Sequence, residues 1–446
     1  LGRFLEPPIL TYSAAFDGQR AFHKGEGMKD IEQARRALLQ IFQAALARVQ
    51  GRAAVRRYLQ ANPLHAACSL LAIGKAAQSM ALGAVDALGG RLVDGLVISK
   101  PGHLDQARLT AAGLIALQGG HPVPDAQSLQ AGAALTRYLA TLPAGRPLLC
   151  LISGGASSLV EVLREGRTLE HLQLVNRWLL ASGLPIQQMN LVRKALSAVK
   201  GGGLLRYLAG RPVSALMISD VPDDDPAVIG SGLLVADSGS RSRLAGIDLP
   251  PWVSDLIAHD EQPAAAGQDA VVDIHILATL RDAREAAAEE ARRLGYPCHL
   301  SHAFISAGAE NSGRRLALEL LDSWPGVYVW GGEPTVQLPA SPGRGGRNQH
   351  LALAAARVLD GRDDVCFLSA GTDGTDGPGE DAGALVDGGT IGRGRRQGLS
   401  AADCLAQADS GSFLQASGDL IHTGPTGTNV MDLMLGLKLE SAAAHA

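Results

Sequence analysis

Little in this chain of 446 residues points to a metal scaffold, a nucleic-acid surface or a membrane. There are five cysteines, Cys68, Cys150, Cys298, Cys366 and Cys404, and no two share a CxxC spacing. Three lie in strongly apolar runs, the pattern of reduced, buried thiols, and a zinc ribbon is excluded. Basic residues are not in excess: 40 Lys and Arg against 44 Asp and Glu give a net charge of −4. A nucleic-acid or anionic-membrane partner would call for positive charge, so neither is expected. No apolar run approaches a membrane span, and no signal peptide is read at the start. The expectation is a cytoplasmic protein. Several nucleotide motifs are missing too. No GxGxxG follows a strand, there is no GxxxxGK[ST], and no HRD or DFG pair occurs. A conventional dinucleotide fold or P-loop is therefore not expected.

What is present is α/β in character. Apolar residues make up 46% of the chain and charged residues 19%, normal for an α/β enzyme with many Gly-rich loops. The 54 glycines fall in short groups that punctuate structure. From Asp30 to Val49, Ile31, Ala34, Leu38, Ile41, Phe42, Ala45 and Leu46 lie on one helical face. Strand-like runs follow at 68–75, 94–100, 112–120, 147–155 and 213–221, with helices between them, around 157–164, 169–182 and 187–200 among others. This alternation predicts a parallel sheet with helices on both faces. A Pro-, Asp- and Ser-rich stretch at 235–270 marks a boundary, and a second α/β unit reads from 271, with strands at 271–278, 326–332 and 364–371. The expected organisation is an extension over 1–27, a Rossmann-like domain over 28–245, a linker over 246–270 and a second α/β domain over 271–446. A last helix packing back on the first domain is one option for the C-terminus.

Polar, Gly-rich loops repeatedly follow strand ends, the edge where open parallel sheets bind ligands. ISGGASSL (152–159) offers Ser153, Gly154, Gly155, Ser157 and Ser158 as an anion site. The alternative is a tight turn with Ser157 as a simple cap. Arg347 and Asn348 open a helix after flexible glycines, where an Arg fork can grip a carboxylate or phosphate. Lys75, at a strand-to-helix junction, could neutralise a transferring phosphoryl group, or could snorkel. Arg193, Lys194 and Lys200 have helical spacing, which also suits a plain charged face. Thr426 and Thr428 sit in a Thr- and Gly-rich loop suited to anions. Asp220 follows a buried strand, as does Asp373, and magnesium needs few protein carboxylates. The stretch SAGTDGTDGPGEDAGALVD (369–387) holds five acids, five glycines and a proline, and reads as neither helix nor central strand. Within it Asp373 is the expected functional acid, with Glu380 and Asp381 on the loop surface.

Nine blocks in order, IGKAA, GGHPVPD, LISGGASSL, NLVRKALSAVKGG, ISDVPDDD, GGEPTV, GRGGRNQ, SAGTDGTDGP and TGPTGTNV, resemble the glycerate 2-kinase family from about residue 30 to 440. The resemblance implies a Rossmann-like N-terminal domain and a C-terminal MOFRL domain, with the active site in the cleft between them. It implies ATP-dependent phosphorylation of D-glycerate at the 2-hydroxyl, with Mg2+, and places Lys75 and Arg347 at the reacting groups. Nucleotide phosphates are assigned to Ser153, Gly154, Gly155, Ser157, Ser158, Lys200, Thr426 and Thr428. Arg193 and Asn348 are assigned to substrate, and Asp220 and Asp373 to the metal. The chain departs from the usual family pattern at Gly203 (commonly Arg), Asp223 (commonly Gly), 231–234 (SGLL for SGPT) and Met431 (commonly Asn). Rival readings are a hydroxypyruvate reductase and a non-catalytic sensor of a sugar phosphate or glycerate. The partners expected are the small-molecule substrates alone; a homodimer is left open.

Overall fold

The computed structural model describes residues 26–208, 210–236, 240–258 and 271–440. The chain forms two compact units. One is Gly51–Ala278; the other joins the chain up to Gln50 to the chain from Thr279 onward. These limits differ from the expected ones in three places. The helix Glu26–Val49 belongs with the C-terminal unit. Part of the expected linker is the helix Pro251–Ala258, whose Val253 is fully buried beside Leu172 and Val192. The strand at 271–278, expected to open the second domain, closes the first sheet. Residues 1–25, and 259–270 of the linker, lie outside the described residues.

In the Gly51–Ala278 unit six strands form one sheet: β1 (Cys68–Ile73), β2 (Leu92–Ser99), β3 (Leu114–Gln118), β4 (Leu148–Ile152), β5 (Val213–Ile218) and β6 (Val272–Ala278). Their order is β3-β2-β1-β4-β5-β6, and every pairing is parallel. β1 and β4 are buried along their whole length, as continuous apolar strands covered on both faces should be. This is the doubly wound order of dinucleotide-binding folds, here without the glycine fingerprint. The order reverses between β1 and β4, which opens a crevice beyond their carboxyl ends.

The other unit carries a mixed sheet of β7 (Cys298–Ile305), β8 (Gly326–Gly332), β9 (Val365–Gly371), β10 (Asp381–Asp387), β11 (Leu420–His422) and β12 (Asp432–Lys438). Its order is β11-β10-β9-β12-β8-β7; β7 and β8 are parallel and the other pairs antiparallel. β10 corrects the reading of 369–387, because Asp381–Asp387 is an internal, fully buried strand. Acids cap both its ends, and Gly383 lies where a Cβ would stand 2.0 Å from Ser369 O. Only glycine allows that approach. The last described helix, Ser410–Ser417, packs within this unit beside Arg347–Leu359, and the last described element is β12.

Buried charge ties the helix Glu26–Val49 to this unit. Arg35 is paired with Asp387, with Asp419 at 2.9 Å, and donates to Leu385 O at 2.8 Å. Burial alone would raise the Asp387 pKa, but Arg35 and Arg393 hold it below the usual carboxylate range. Met431 sits at φ +68°. That left-handed backbone is one Asn tolerates better than Met, which accounts for the usual family residue at this position.

Candidate active site

The turns after β1 and β4 lock together across the switch point. Lys75 N donates to Gly154 O at 2.9 Å, and Ala76 N donates to Ser153 Oγ at 3.0 Å. A Cβ on Gly74 would stand 2.1 Å from that same hydroxyl. Ser153 is therefore buried and holds the turn that carries Lys75. Gly155, at φ +84°, leaves open the space beside Lys75: a Cβ there would reach Lys75 Cγ at 3.2 Å and the His121 ring at 3.1 Å. The helix beyond is one turn, Ala156–Leu159, shorter than the expected 157–164. Its dipole is correspondingly small, so anion binding here must come mainly from side chains.

Those side chains line a cavity of about 440 Å³ bounded by Gly155, Ser157, Ser158, Arg193, Lys200 and Asp220 among others. Six residues assigned from the sequence to phosphate, substrate or metal thus meet at one place. Arg193 decides its character. Its Nε donates to Asn176 Oδ1 at 2.9 Å and its Nη1 to Asn190 Oδ1 at 3.2 Å, and among the described residues no carboxylate pairs with it. Burial holds its pKa below the ordinary value. A half-buried guanidinium oriented by neutral amides keeps its charge for an incoming anion. Lys200, 4% exposed, is paired with Glu161, which is fully buried. Among the described residues Glu161 Oε1 has no hydrogen-bond partner. Ser157 Oγ lies 2.8 Å from Ser231 Oγ, and Ser231 is held at φ +62° between Gly230 and Gly232, both also left-handed. Such strain in a non-glycine residue is often stored at a binding site.

Arg347 lies in the other unit and opens the helix Arg347–Leu359. Its Nε and Nη2 grip Asp432 at 2.6 and 3.1 Å, and Nη1 donates to Glu333 at 2.7 Å. Burial would lower its pKa, but Asp432 and Glu333 outweigh that and raise it. The Asp432 side chain is buried and Glu333 is 44% exposed, so Nη1 is the solvent-facing corner. Asn348 is buried: it donates to Asp376 and accepts from Ser369 Oγ at 2.7 Å. Asp376 caps the helix from another loop, accepting from Asn348 N at 3.0 Å and Gln349 N at 2.8 Å. Asp373 accepts from Thr375 N and Oγ1 at 2.9 and 3.1 Å. The hydroxyls of Thr426 and Thr428 donate to Thr372 O and Val49 O. The Asn348, Thr426 and Thr428 side chains are thus engaged in building the loops. Asp381 is no surface acid: it is 2% exposed and pairs with His422 at 2.7 Å and Arg344 at 3.2 Å, whereas Glu380 is exposed.

Sequence reasoning missed the residues that orient the cations: Glu161, Asn176 and Asn190 for the cavity, and Asp432 and Glu333 for Arg347. Glu161 did leave a signal, a lone acid in the apolar run LVEVL. A carboxylate in such a run needs a buried partner.

The chain matches the family described as Domain of unknown function (DUF4147) over residues 37–247, and the MOFRL family over 326–432. It is 35% identical over 386 residues to the D-glycerate 2-kinase of Thermotoga maritima, covering 82% of this chain and 90% of the relative. The chain belongs to the glycerate 2-kinase family. A solved glycerate kinase from Thermotoga maritima superposes with a TM-score of 0.77 at 33% identity, covering 92% of this chain and 100% of that one. A protein of Agrobacterium vitis, provisionally named a hydroxypyruvate reductase, is 37% identical over 90% of this chain and 93% of its own length. The family's two-domain α/β architecture is the one described above. Among the described residues no helix is long and apolar enough to cross a membrane.

Proposed function

We propose that the protein transfers the γ-phosphoryl group of ATP to the 2-hydroxyl of D-glycerate, giving 2-phosphoglycerate and ADP. The observation that carries this is Arg193, a guanidinium held by two amides and paired with no carboxylate among the described residues, in a cavity also lined by Lys200, Ser157 and Gly155. Membership of the glycerate 2-kinase family supplies the acceptor. In the reaction the bond from the γ-phosphorus to its bridging oxygen breaks, ADP leaves with that oxygen, a bond to the 2-oxygen forms, and the hydroxyl proton is released to water. Such a transfer asks for position and charge stabilisation more than covalent chemistry.

Arg193 and the Glu161-held Lys200 bind phosphate oxygens. Lys75, on the turn pinned by Ser153, stabilises charge on the migrating group. Arg347 keeps its grip on Asp432, and an anionic group of the substrate takes the place of the exposed Glu333 at its fixed Nη1. Asp220 is the carboxylate of the cavity to which a divalent cation would bind. No group of three or more His, Cys, Asp or Glu able to hold a metal occurs among the described residues, so the fit is to a cation shared with phosphates and water. Bound there, it would neutralise phosphate oxygens.

The provisional name of the Agrobacterium relative favours a second reading, hydroxypyruvate reduction. Against it stands the turn after β1, where a dinucleotide fold of this strand order carries GxGxxG: here it reads Gly74-Lys75-Ala76-Ala77. The test is ADP release from ATP over a panel of small hydroxy acids, with NADH consumption on hydroxypyruvate run alongside. Glycerate-dependent ADP release without NADH oxidation supports the kinase, and the reverse pattern overturns it.

A further inference from the structure

The helix Ile186–Leu196 serves three surroundings at once. Met189, Val192 and Leu196 are buried in an apolar cluster with Leu172 and Val175. Asn190 and Arg193 face the cavity already described. Gln187, Gln188, Leu191 and Lys194, at helical spacing on a further face, line a second cavity of about 420 Å³. The two cavities share Asn190, Val228 and Ser231, so they meet along one wall.

We propose that the second cavity receives the nucleoside of the phosphoryl donor, with its phosphates in the first. This rests on the kinase reading above. Size is the first argument. A three-carbon acid would occupy a small part of one such cavity and has no use for the second. A ligand with an anionic tail and a bulky heterocycle matches two abutting spaces. Chemistry is the second. Gln187, Gln188 and Asn190 offer amide donors and acceptors together, the complement of a base edge. Leu191 and Val228 give the apolar surface that a base face needs. Charge distribution is the third. Two cations line the second cavity: Lys194 Nζ donates to Ala227 O at 3.1 Å and is tied to main chain, and Arg243 is exposed, so its charge is screened by solvent. Arg193, on the first-cavity side of the same helix, pairs with two amides and with no carboxylate among the described residues. The anionic end of the ligand therefore belongs in the first cavity and the neutral end in the second.

The test compares ATP with inorganic tripolyphosphate, each titrated by calorimetry into the full chain. Leu191→Trp fills the second cavity. It should weaken ATP by about tenfold or more, the worth of one good contact, and leave tripolyphosphate within about twofold. Arg193→Gln should weaken both ligands. Should Leu191→Trp not fold, as judged by its melting transition, Gln188→Leu keeps the bulk, removes an amide and is read the same way. Unchanged ATP affinity in a folded variant overturns the proposal, as does equal loss of both ligands. If the unaltered protein binds neither ATP nor tripolyphosphate, the kinase reading itself has failed and the nucleoside site falls with it.

Discussion

Lys200→Met removes one partner of a deeply buried ion pair in the Gly51–Ala278 unit. Glu161 is fully buried, Lys200 is 4% exposed, and Glu161 Oε1 already lacks a hydrogen-bond partner among the described residues. The substitution leaves a carboxylate in the core with no compensating charge. Breaking such a pair from one side costs about 3–5 kcal/mol. In a unit of this size that corresponds to a fall in Tm of roughly 6–20 °C. Removing both charges with apolar side chains of similar bulk is close to neutral. Glu161→Met with Lys200→Met should thus recover most of the loss, with a coupling of about 3 kcal/mol between the two positions. Urea unfolding of the four proteins measures this. The double variant also separates structure from function, since it should fold yet show a raised KM for ATP because the cavity has lost a cation. Single variants that each cost under about 1 kcal/mol and add independently would refute the reasoning. So would a double variant with unaltered kinetics, which would make the pair a structural element only.

Three further outcomes are expected. Lys75→Ala should lower turnover by about 10²–10³-fold with the fold intact, because a cation on the migrating phosphoryl group acts mainly in the transition state; near-normal kcat in a folded variant would demote it. Arg347→Lys should impair activity because a point charge cannot keep two bonds to Asp432 and still offer a third donor in a fixed plane; glycerate KM and kcat, measured separately, would both have to stay unchanged to remove its role. Asp376 predicts a pH effect on stability. Burial pushes its pKa up to about 6, against the opposing hydrogen bonds from Asn348 N and Gln349 N. A carboxyl raised in the folded state binds its proton more tightly there than when unfolded, so its contribution to stability falls as pH rises from about 4 to 6 and is level above. The stability of Asp376→Asn relative to the unaltered protein should therefore improve by about 2 kcal/mol between pH 4 and pH 7; a difference independent of pH would show that Asp376 titrates normally.

The legible parts of this protein were those where local pattern and tertiary role agree. β1, β4 and β5 are buried on both faces, so their apolar runs stand out and the Gly-rich turns at their ends mark the ligand edge. The same agreement brought Gly155, Ser157, Ser158, Arg193, Lys200 and Asp220 to one cavity. β10 and β12 were illegible because each carries an interior glycine required by packing: Gly383 against Ser369 O, and Gly436 against Leu320 and Trp330. A glycine needed for close approach looks, in sequence, like a glycine that makes a turn. The acids of 369–387 misled for a related reason. Asp376, Asp381 and Asp387 are buried and satisfied by a helix start, by His422 and Arg344, and by Arg35 and Arg393. Arg35 lies about 350 residues from its partner Asp387, and no local window could supply it. The residues that orient Arg193 were hidden in the same way, since Asn176 and Asn190 are ordinary polar helix residues until the fold aims them.

The most direct test of the account couples the reaction to enolase alone. With ATP, a magnesium salt and D-glycerate, an immediate enolase signal is expected if the product is 2-phosphoglycerate. An anchored carboxylate fixes the acceptor at one end, and a displacement of about an ångström can cost roughly 10²-fold in rate, so one hydroxyl should be strongly preferred. A signal that appears only after phosphoglycerate mutase is added would place the phosphoryl group on the 3-hydroxyl and contradict the account, and no ATP consumption with D-glycerate at all would overturn the kinase assignment.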